Sequence, residues 1–328
     1  MSDPLGNALR EDLRRHRELL AGRVPAFEAL YRPLIARTDD VRFAAAWAHR
    51  SFSAFYDRPL LIFASLRERA LRDPHHPLAA LLADQPAADT AERVDDAGLE
   101  IAMEDAGFWD NLGARHVQTN ETGRAVVWLW PASALGLRAY TLVDLGSSAG
   151  LNLVADRLEH PWRDEDDQPL FDEVSPPTRR VGLDLRPLDP HAEADRRWLR
   201  ACVWPGEHAR LQRLNDAFGA MESESTEQVA LDLADAPAWL DEIAGPVLAY
   251  QSIVRDYLPE RERKRYEAAM SRWASERAGR VWAELEYVEG GAPCGIVVHD
   301  VAGSRLWGTC SYHPTVVRRT EGAPCVGR

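Results

Sequence analysis

The chain has 328 residues, 45% of them hydrophobic, and a formal net charge of −13. These figures fit a folded protein of one large or two modest domains. They argue against the basic face that neutralises phosphates, so no nucleic-acid partner is expected. No apolar run reaches the roughly 18 residues of a membrane span, and the charged N-terminus has no apolar signal core. A cytoplasmic chain with no membrane partner is expected.

Residues 1–135 are expected to form a helical N-terminal region, a cap that contributes to a substrate site. Leu9, Leu13, His16 and Leu20 share one helix face. Phe27, Leu30, Tyr31, Leu34 and Ile35 make a second stripe, and Val41, Phe43, Ala44 and Trp47 a third. His75 and His76 lie between Pro74 and Pro77; adjacent side chains diverge, so a turn is expected and no metal site. Leu78–Leu82 reads as a short helix and 84–96 as a polar exposed loop or frayed helix. Gln118–Glu121 is a polar cluster before an apolar run. Thr119 or Asn120 can cap a helix over Val126–Leu135; alternatively Asn120, Glu121 and Arg124 face the turn that follows in sequence.

From Tyr140 the pattern becomes alternating strand and helix. Strands are expected at Tyr140–Gly146, Arg180–Leu185, Gln228–Leu233 and Pro246–Gln251. Helices are expected at Ala149–His160, Ala192–Val203, Glu207–Met221, a short segment around Trp239 and Leu240, and Glu260–Arg277. Pro161–Thr178 is an acidic, proline-rich insertion. Three strand-like pieces close the chain, Val281–Val288, Gly295–Val301 and Arg305–Tyr312, the first two joined by a Glu289–Pro293 turn. This order predicts an α/β fold, a mostly parallel Rossmann-like sheet with an antiparallel C-terminal meander, spanning 136–328. The four cysteines, Cys202, Cys294, Cys310 and Cys325, form no C-x-x-C pair and read as reduced buried thiols. Lys264, the one lysine, sits in a charged helix, so neither Schiff-base chemistry nor a P-loop has a candidate.

The focal stretch is the turn Gly146–Gly150 after the first strand. Such a turn brings backbone N–H groups to a ligand with no side chain in the way. It reads as a nucleotide-cofactor loop on Asp144, Gly146 and Gly150, as a G-x-S-x-G nucleophile elbow with Ser148, or as a plain strand-to-helix turn. The elbow lacks the upstream strands that hold a nucleophile mid-sheet. A dinucleotide site lacks G-x-G-x-x-G, and its acid is expected about 20 residues on, whereas the next strand-end acid is Asp184.

The ordered set resembles class I S-adenosylmethionine-dependent methyltransferases. Asp144, Gly146 and Gly150 match the family's first motif, with Ser148 in place of its middle glycine. Asp184 matches the ribose acid, Ala234–Ala236 the adenine-side acid segment, and Tyr250–Ser252 the fourth-strand segment. More narrowly, Gln118–Arg124, Leu145–Leu153, Asp184–Asp189, Val203–Pro205, Ala234–Ala236 and Ser311–His313 resemble a bacterial family known as domain of unknown function 2332. The resemblance implies an S-adenosylmethionine-dependent transferase, foremost a methyltransferase, acting on a small-molecule acceptor. Implied cofactor residues are Asn120, Arg124, Asp144, Gly146, Ser147, Ser148, Gly150, Asn152, Asp184, Leu185, Ala234, Asp235, Ala236, Gln251 and Ser252. Base candidates are Glu121, Tyr257 and His313; His299 alternates outward and reads as a strand-surface residue. Aminocarboxypropyl transfer, a non-catalytic relative and a Ser148 hydrolase remain open, as does a homodimer. One departure from the family is expected: hairpins replace the usual helical crossover before the last strands.

Overall fold

The computed structural model describes residues 4–82, 96–159, 162–288 and 293–324. Most of the expected 84–96 loop, His160, Pro161, most of the Glu289–Pro293 turn and Cys325 lie outside them. The chain divides into two compact units: Met1–Thr119 with Ala192–Gln212, and Asn120–His191 with Arg213–Arg328. The division thus falls at 119/120 rather than 135/136, and a later helical segment returns to the first unit.

The first unit is helical. It contains α1 (Pro4–Leu19), α2 (Pro25–Ile35), α3 (Val41–Ala46), α4 (Asp57–Arg72), α5 (Ala79–Leu82), α6 (Asp96–Glu104), α7 (Ala106–Ala114) and, from later in the chain, the helix Glu193–Cys202. The apolar stripes read from the sequence are its core: Leu9, Leu13, Phe27, Leu30, Tyr31 and Leu34 are all buried. Phe27 stacks on Phe63 with centroids 4.1 Å apart. His16 lies in this core, 1% exposed, with its Nδ1 2.8 Å from the Tyr31 hydroxyl. Burial lowers its pKa to about 4, so it is a neutral core histidine.

The second unit is built on one eight-stranded sheet. Its strands are β1 (Thr141–Leu145), β2 (Arg179–Asp184), β3 (Glu227–Ala230), β4 (Val247–Ser252), β5 (Arg280–Glu286), β6 (Cys294–Asp300), β7 (Gly303–Cys310) and β8 (Val317–Arg319), in the order β3-β2-β1-β4-β5-β6-β7-β8. The first five are parallel. From β5 onward each pairing is antiparallel, so the expected meander is present, with β8 as an additional strand. β1 and β4 read as continuous apolar runs because both faces are covered. One face packs Leu142, Leu248, Ala283 and Ile296 against Trp128, Leu129 and Trp130 of the helix Val126–Ala134. The other packs Val143, Val181, Ala249 and Trp282 against Leu240 of Ala236–Asp241 and Tyr266, Met270 and Trp273 of Glu260–Glu276. Each such fully buried large side chain contributes about 1.5–3 kcal/mol.

Three local expectations change. The segment after the glycine turn is a 3-10 helix, Leu151–Arg157, rather than an α-helix over Ala149–His160. Side chains take up carbonyls there: Trp128 Nε1 donates to Asn152 O at 2.9 Å, and Arg180 donates to Leu153 O. The Val126–Ala134 helix is preceded by a 3-10 turn, Thr122–Ala125, whose cap is Glu121 rather than Thr119 or Asn120. His299 is buried, 8% exposed. Its ring stacks 4.2 Å from that of Trp282 and bridges Ser304 Oγ at 2.6 Å and Glu284 Oε1 at 3.0 Å.

Candidate functional site

The order of the parallel strands reverses between β1 and β4, and ligands of open α/β sheets bind at the carboxyl ends of strands flanking such a switch point. The Gly146–Gly150 turn lies there, directly after β1. Gly146, Ser148 and Gly150 all take left-handed backbone conformations, with φ of 83°, 54° and 71°. Glycine adopts that region without strain, whereas Ser148 does so only because the turn holds it.

What holds it is the end of β2. Ser148 N donates to Asp184 Oδ2 at 2.8 Å, and Arg186 N donates to Oδ1 at 2.8 Å. Leu188 N donates to Ser148 O at 3.0 Å, and Asn120 Nδ2 donates to Ser148 Oγ at 2.8 Å. Gly146 N and Ser147 N both donate to Leu183 O, and Gly150 N to Ser147 O. Four of the turn's five amides, those of Gly146, Ser147, Ser148 and Gly150, are therefore engaged within the protein. The turn does not present the row of free donors expected from its sequence, and Gly146 is exposed while Ser147, Ser148, Ala149 and Gly150 are buried.

Neighbouring strands lock the turn from both sides. Ser147 Oγ lies 3.0 Å from Gln228 Oε1 of β3. The two side chains meet over Gly182 of β2, where any Cβ would collide with both. On the β4 side, a Cβ on Gly146 would sit 2.8 Å from Val254 Cγ2. Val254 follows Ile253, a β-branched residue at φ 54°. Such a conformation costs about 1–3 kcal/mol and persists only where its surroundings over-determine it. Here Ile253 N donates to Leu285 O at 2.9 Å, and Glu286 Oε1 accepts from Val254 N at 2.8 Å and Gln251 Nε2 at 2.9 Å. Gln251 Oε1 accepts from Tyr266 Oη at 2.7 Å. Gln251 is thus a buried brace of the β4 loop, not a side chain facing the turn.

Two carboxyl groups here are buried enough to hold protons near neutrality. Burial pushes Asp144, 4% exposed, up to about 7, with the Tyr250 hydroxyl pulling it down and Asp184 adding to the rise. Burial also pushes Glu286 up to about 7. Asp144 lies beneath the turn, whereas Asp184 is half-buried at its rim. Asp235 and Ala234 are exposed at the 3-10 turn after β3, with Ala236 buried as the first residue of the next helix. Leu185 is exposed; Ser252 and Asn152 are half-buried, the latter with a buried, unpartnered Oδ1.

A second group of residues gathers around Glu121. Its Oε1 accepts from Gly123 N at 3.1 Å and from Arg213 Nη2 at 2.9 Å, and its Oε2 lies 3.3 Å from His313 Nδ1. Arg124 donates from Nε to Tyr312 O at 3.2 Å, and its guanidinium carbon sits 4.1 Å from the Tyr312 ring centroid. Asn120, Glu121 and Arg124 thus meet both the glycine turn and Ser311–His313, two segments far apart in sequence. Tyr257, the third base candidate, is 71% exposed on the separate turn Arg255–Tyr257. Arg213 was not singled out in the sequence, where it is one arginine of an amphipathic helix. Among the described residues, the hydrogen bond to Ser148 Oγ comes from Asn120, and no histidine contacts it.

A parallel sheet with β1 beside β4, a glycine turn at that switch point and an acid closing β2 define a Rossmann-like α/β fold. The chain belongs to the family described as "Uncharacterized protein conserved in bacteria (DUF2332)", which matches residues 10–321. Among solved structures it is similar to an O-methyltransferase family protein from Burkholderia thailandensis. The match has 16% identity and a TM-score of 0.28, and covers 87% of this chain and 77% of the other. No curated protein matches it. Among the described residues, no helix is long and apolar enough to cross a membrane.

Proposed function

We propose that the protein is an S-adenosylmethionine-dependent transferase, foremost a methyltransferase, acting on a small molecule. The observation that carries this reading is the turn after β1, held open by Asp184 with its own amides engaged. A pyrophosphate needs free N–H donors at a helix N-terminus; this turn has few to give and is followed by a 3-10 helix. A nucleoside with an amino-acid arm needs a carboxylate for its ribose. Asp184 uses two of about four acceptor positions on loop amides, leaving the others for ribose hydroxyls. The left-handed glycines set the course of the turn, and Asp235, exposed on the 3-10 turn after β3, is available to the adenine amino group.

When bound, the cofactor supplies an electrophilic methyl group on sulfur. The chain's own part is to position the acceptor and to take its proton where required. His313 serves as that base, its Nδ1 3.3 Å from Glu121 Oε2 and its side chain partly exposed. Arg213 in turn keeps Glu121 in place. Asn120, Gly146, Ser147, Ser148 and Gly150 form the floor of the cofactor cradle.

Calorimetry with S-adenosylhomocysteine tests the reading. Binding is expected to the wild-type protein, and Asp184→Ala is expected to weaken it by at least about tenfold, roughly 1.4 kcal/mol. Absence of binding to a folded wild-type protein overturns it.

A further inference from the structure

Arg124 is 4% exposed. Its Nε is bound to the Tyr312 carbonyl and its face is covered by the Tyr312 ring. Its Nη2 is buried with no hydrogen-bond partner, and among the described residues no carboxylate pairs with it. The nearby thiols supply no counter-charge, because burial pushes Cys294 up to about 11 and Cys310 up to about 12. A second buried orphan, Thr122 Oγ1, lies on the same 3-10 turn. Glu121, the acid that caps this turn, is held by Arg213 and His313. With Glu121 engaged by Arg213, the Arg124 guanidinium is left without an acidic partner among the described residues.

A buried, unpaired guanidinium is expensive; proteins match such charges with a partner. Its planar fork fits a carboxylate with two parallel hydrogen bonds. We propose that Arg124, roofed by Tyr312 and flanked by Thr122, is the anchor of a carboxylate-binding subsite. On the transferase reading above, from which the two sources follow, the carboxylate belongs either to the cofactor's amino-acid arm or to the acceptor.

Arg124→Gln and the wild type are titrated with S-adenosylhomocysteine, with 5′-methylthioadenosine, which lacks the amino-acid arm, and with benzoate, using benzamide as the neutral control. A loss of about tenfold or more for S-adenosylhomocysteine, with methylthioadenosine unchanged, supports the subsite and assigns the cofactor as the source. Equal S-adenosylhomocysteine affinity, with benzoate binding that benzamide does not share and Arg124→Gln removes, supports it with the acceptor as the source. Benzoate binding that depends on Arg124 in a protein that binds neither nucleoside keeps the subsite and overturns the transferase reading. Unchanged affinity for both S-adenosylhomocysteine and benzoate overturns the subsite alone. Arg124→Lys is the second variant, should Arg124→Gln not fold. It keeps the charge but not the fork, and is expected to lose about threefold to tenfold in whichever carboxylate binds; full retention overturns the proposal.

Discussion

The Asp184 carboxylate accepts the Ser148 amide at 2.8 Å, so the end of β2 fixes the middle of the turn that follows β1. The same carboxylate accepts Arg186 N. Asp184→Asn keeps one acceptor oxygen and Asp184→Ala keeps none. Each amide left unsatisfied costs about 1–3 kcal/mol, so thermal stability is expected to fall in the order wild type, Asn, Ala. Equal melting temperatures for all three would show that the turn does not depend on this carboxylate.

Gly146→Ala introduces two separate penalties, a side chain at φ 83° and a methyl group 2.8 Å from Val254 Cγ2. A destabilisation of about 1–3 kcal/mol is expected. Adding Val254→Ala relieves the collision but not the backbone strain, so the double mutant is expected to recover part of the loss beyond additivity. Denaturant titration of the four proteins measures the coupling, and strict additivity refutes the contact.

Ser148→Gly removes the Asn120 hydrogen bond and relieves the left-handed strain at once. These effects are each about 1 kcal/mol and oppose one another, so stability is expected to change little and S-adenosylhomocysteine affinity to stay within about threefold. A fluorophosphonate is expected to leave Ser148 unlabelled in the wild type. Labelling at Ser148 would instead establish a nucleophile.

The two units are expected to respond oppositely to pH. His16 has a lowered pKa, about 4 against 6.5. The unfolded chain therefore binds more protons between these values, and stability present above pH 6.5 is lost as pH falls toward 4. Asp144 has a raised pKa, about 7 against 3.8. Its folded form binds more protons, so the stability it contributes is full below 3.8 and is lost as pH rises through 7. Asp144→Asn is therefore expected to gain stability relative to wild type at pH 8 compared with pH 5, and His16→Phe at pH 5 compared with pH 8. Denaturation midpoints at both values decide each case, and a pH-independent difference removes the corresponding assignment.

The parallel core was legible because β1 and β4 are short apolar runs bounded by turn residues, and the tight turn after β1 because Gly146 and Gly150 directly follow that strand. The Glu121–His313 pair was not legible as a pair. It joins segments far apart in the chain, and nothing local to His313 marks its partner. Periodicity around Leu151, Val154 and Leu158 suits an α-helix, yet Trp128 and Arg180 take the carbonyls and a 3-10 helix results. His299 was misplaced because alternation assigns a face to a strand residue, but that face is covered by Trp282 and a buried carboxylate rather than by water.

Gly182 carries no side chain, and through that gap Ser147 of the turn reaches Gln228 of β3, two strands away from β1. The rim of the sheet is thereby wired to its centre. A molecule settling on the turn stiffens Ser147, and the slowing of amide hydrogen exchange is expected to reach β3, a short edge strand that would otherwise fray independently. On the proposed function, exchange at β3 thus serves as a remote gauge of occupancy at the turn.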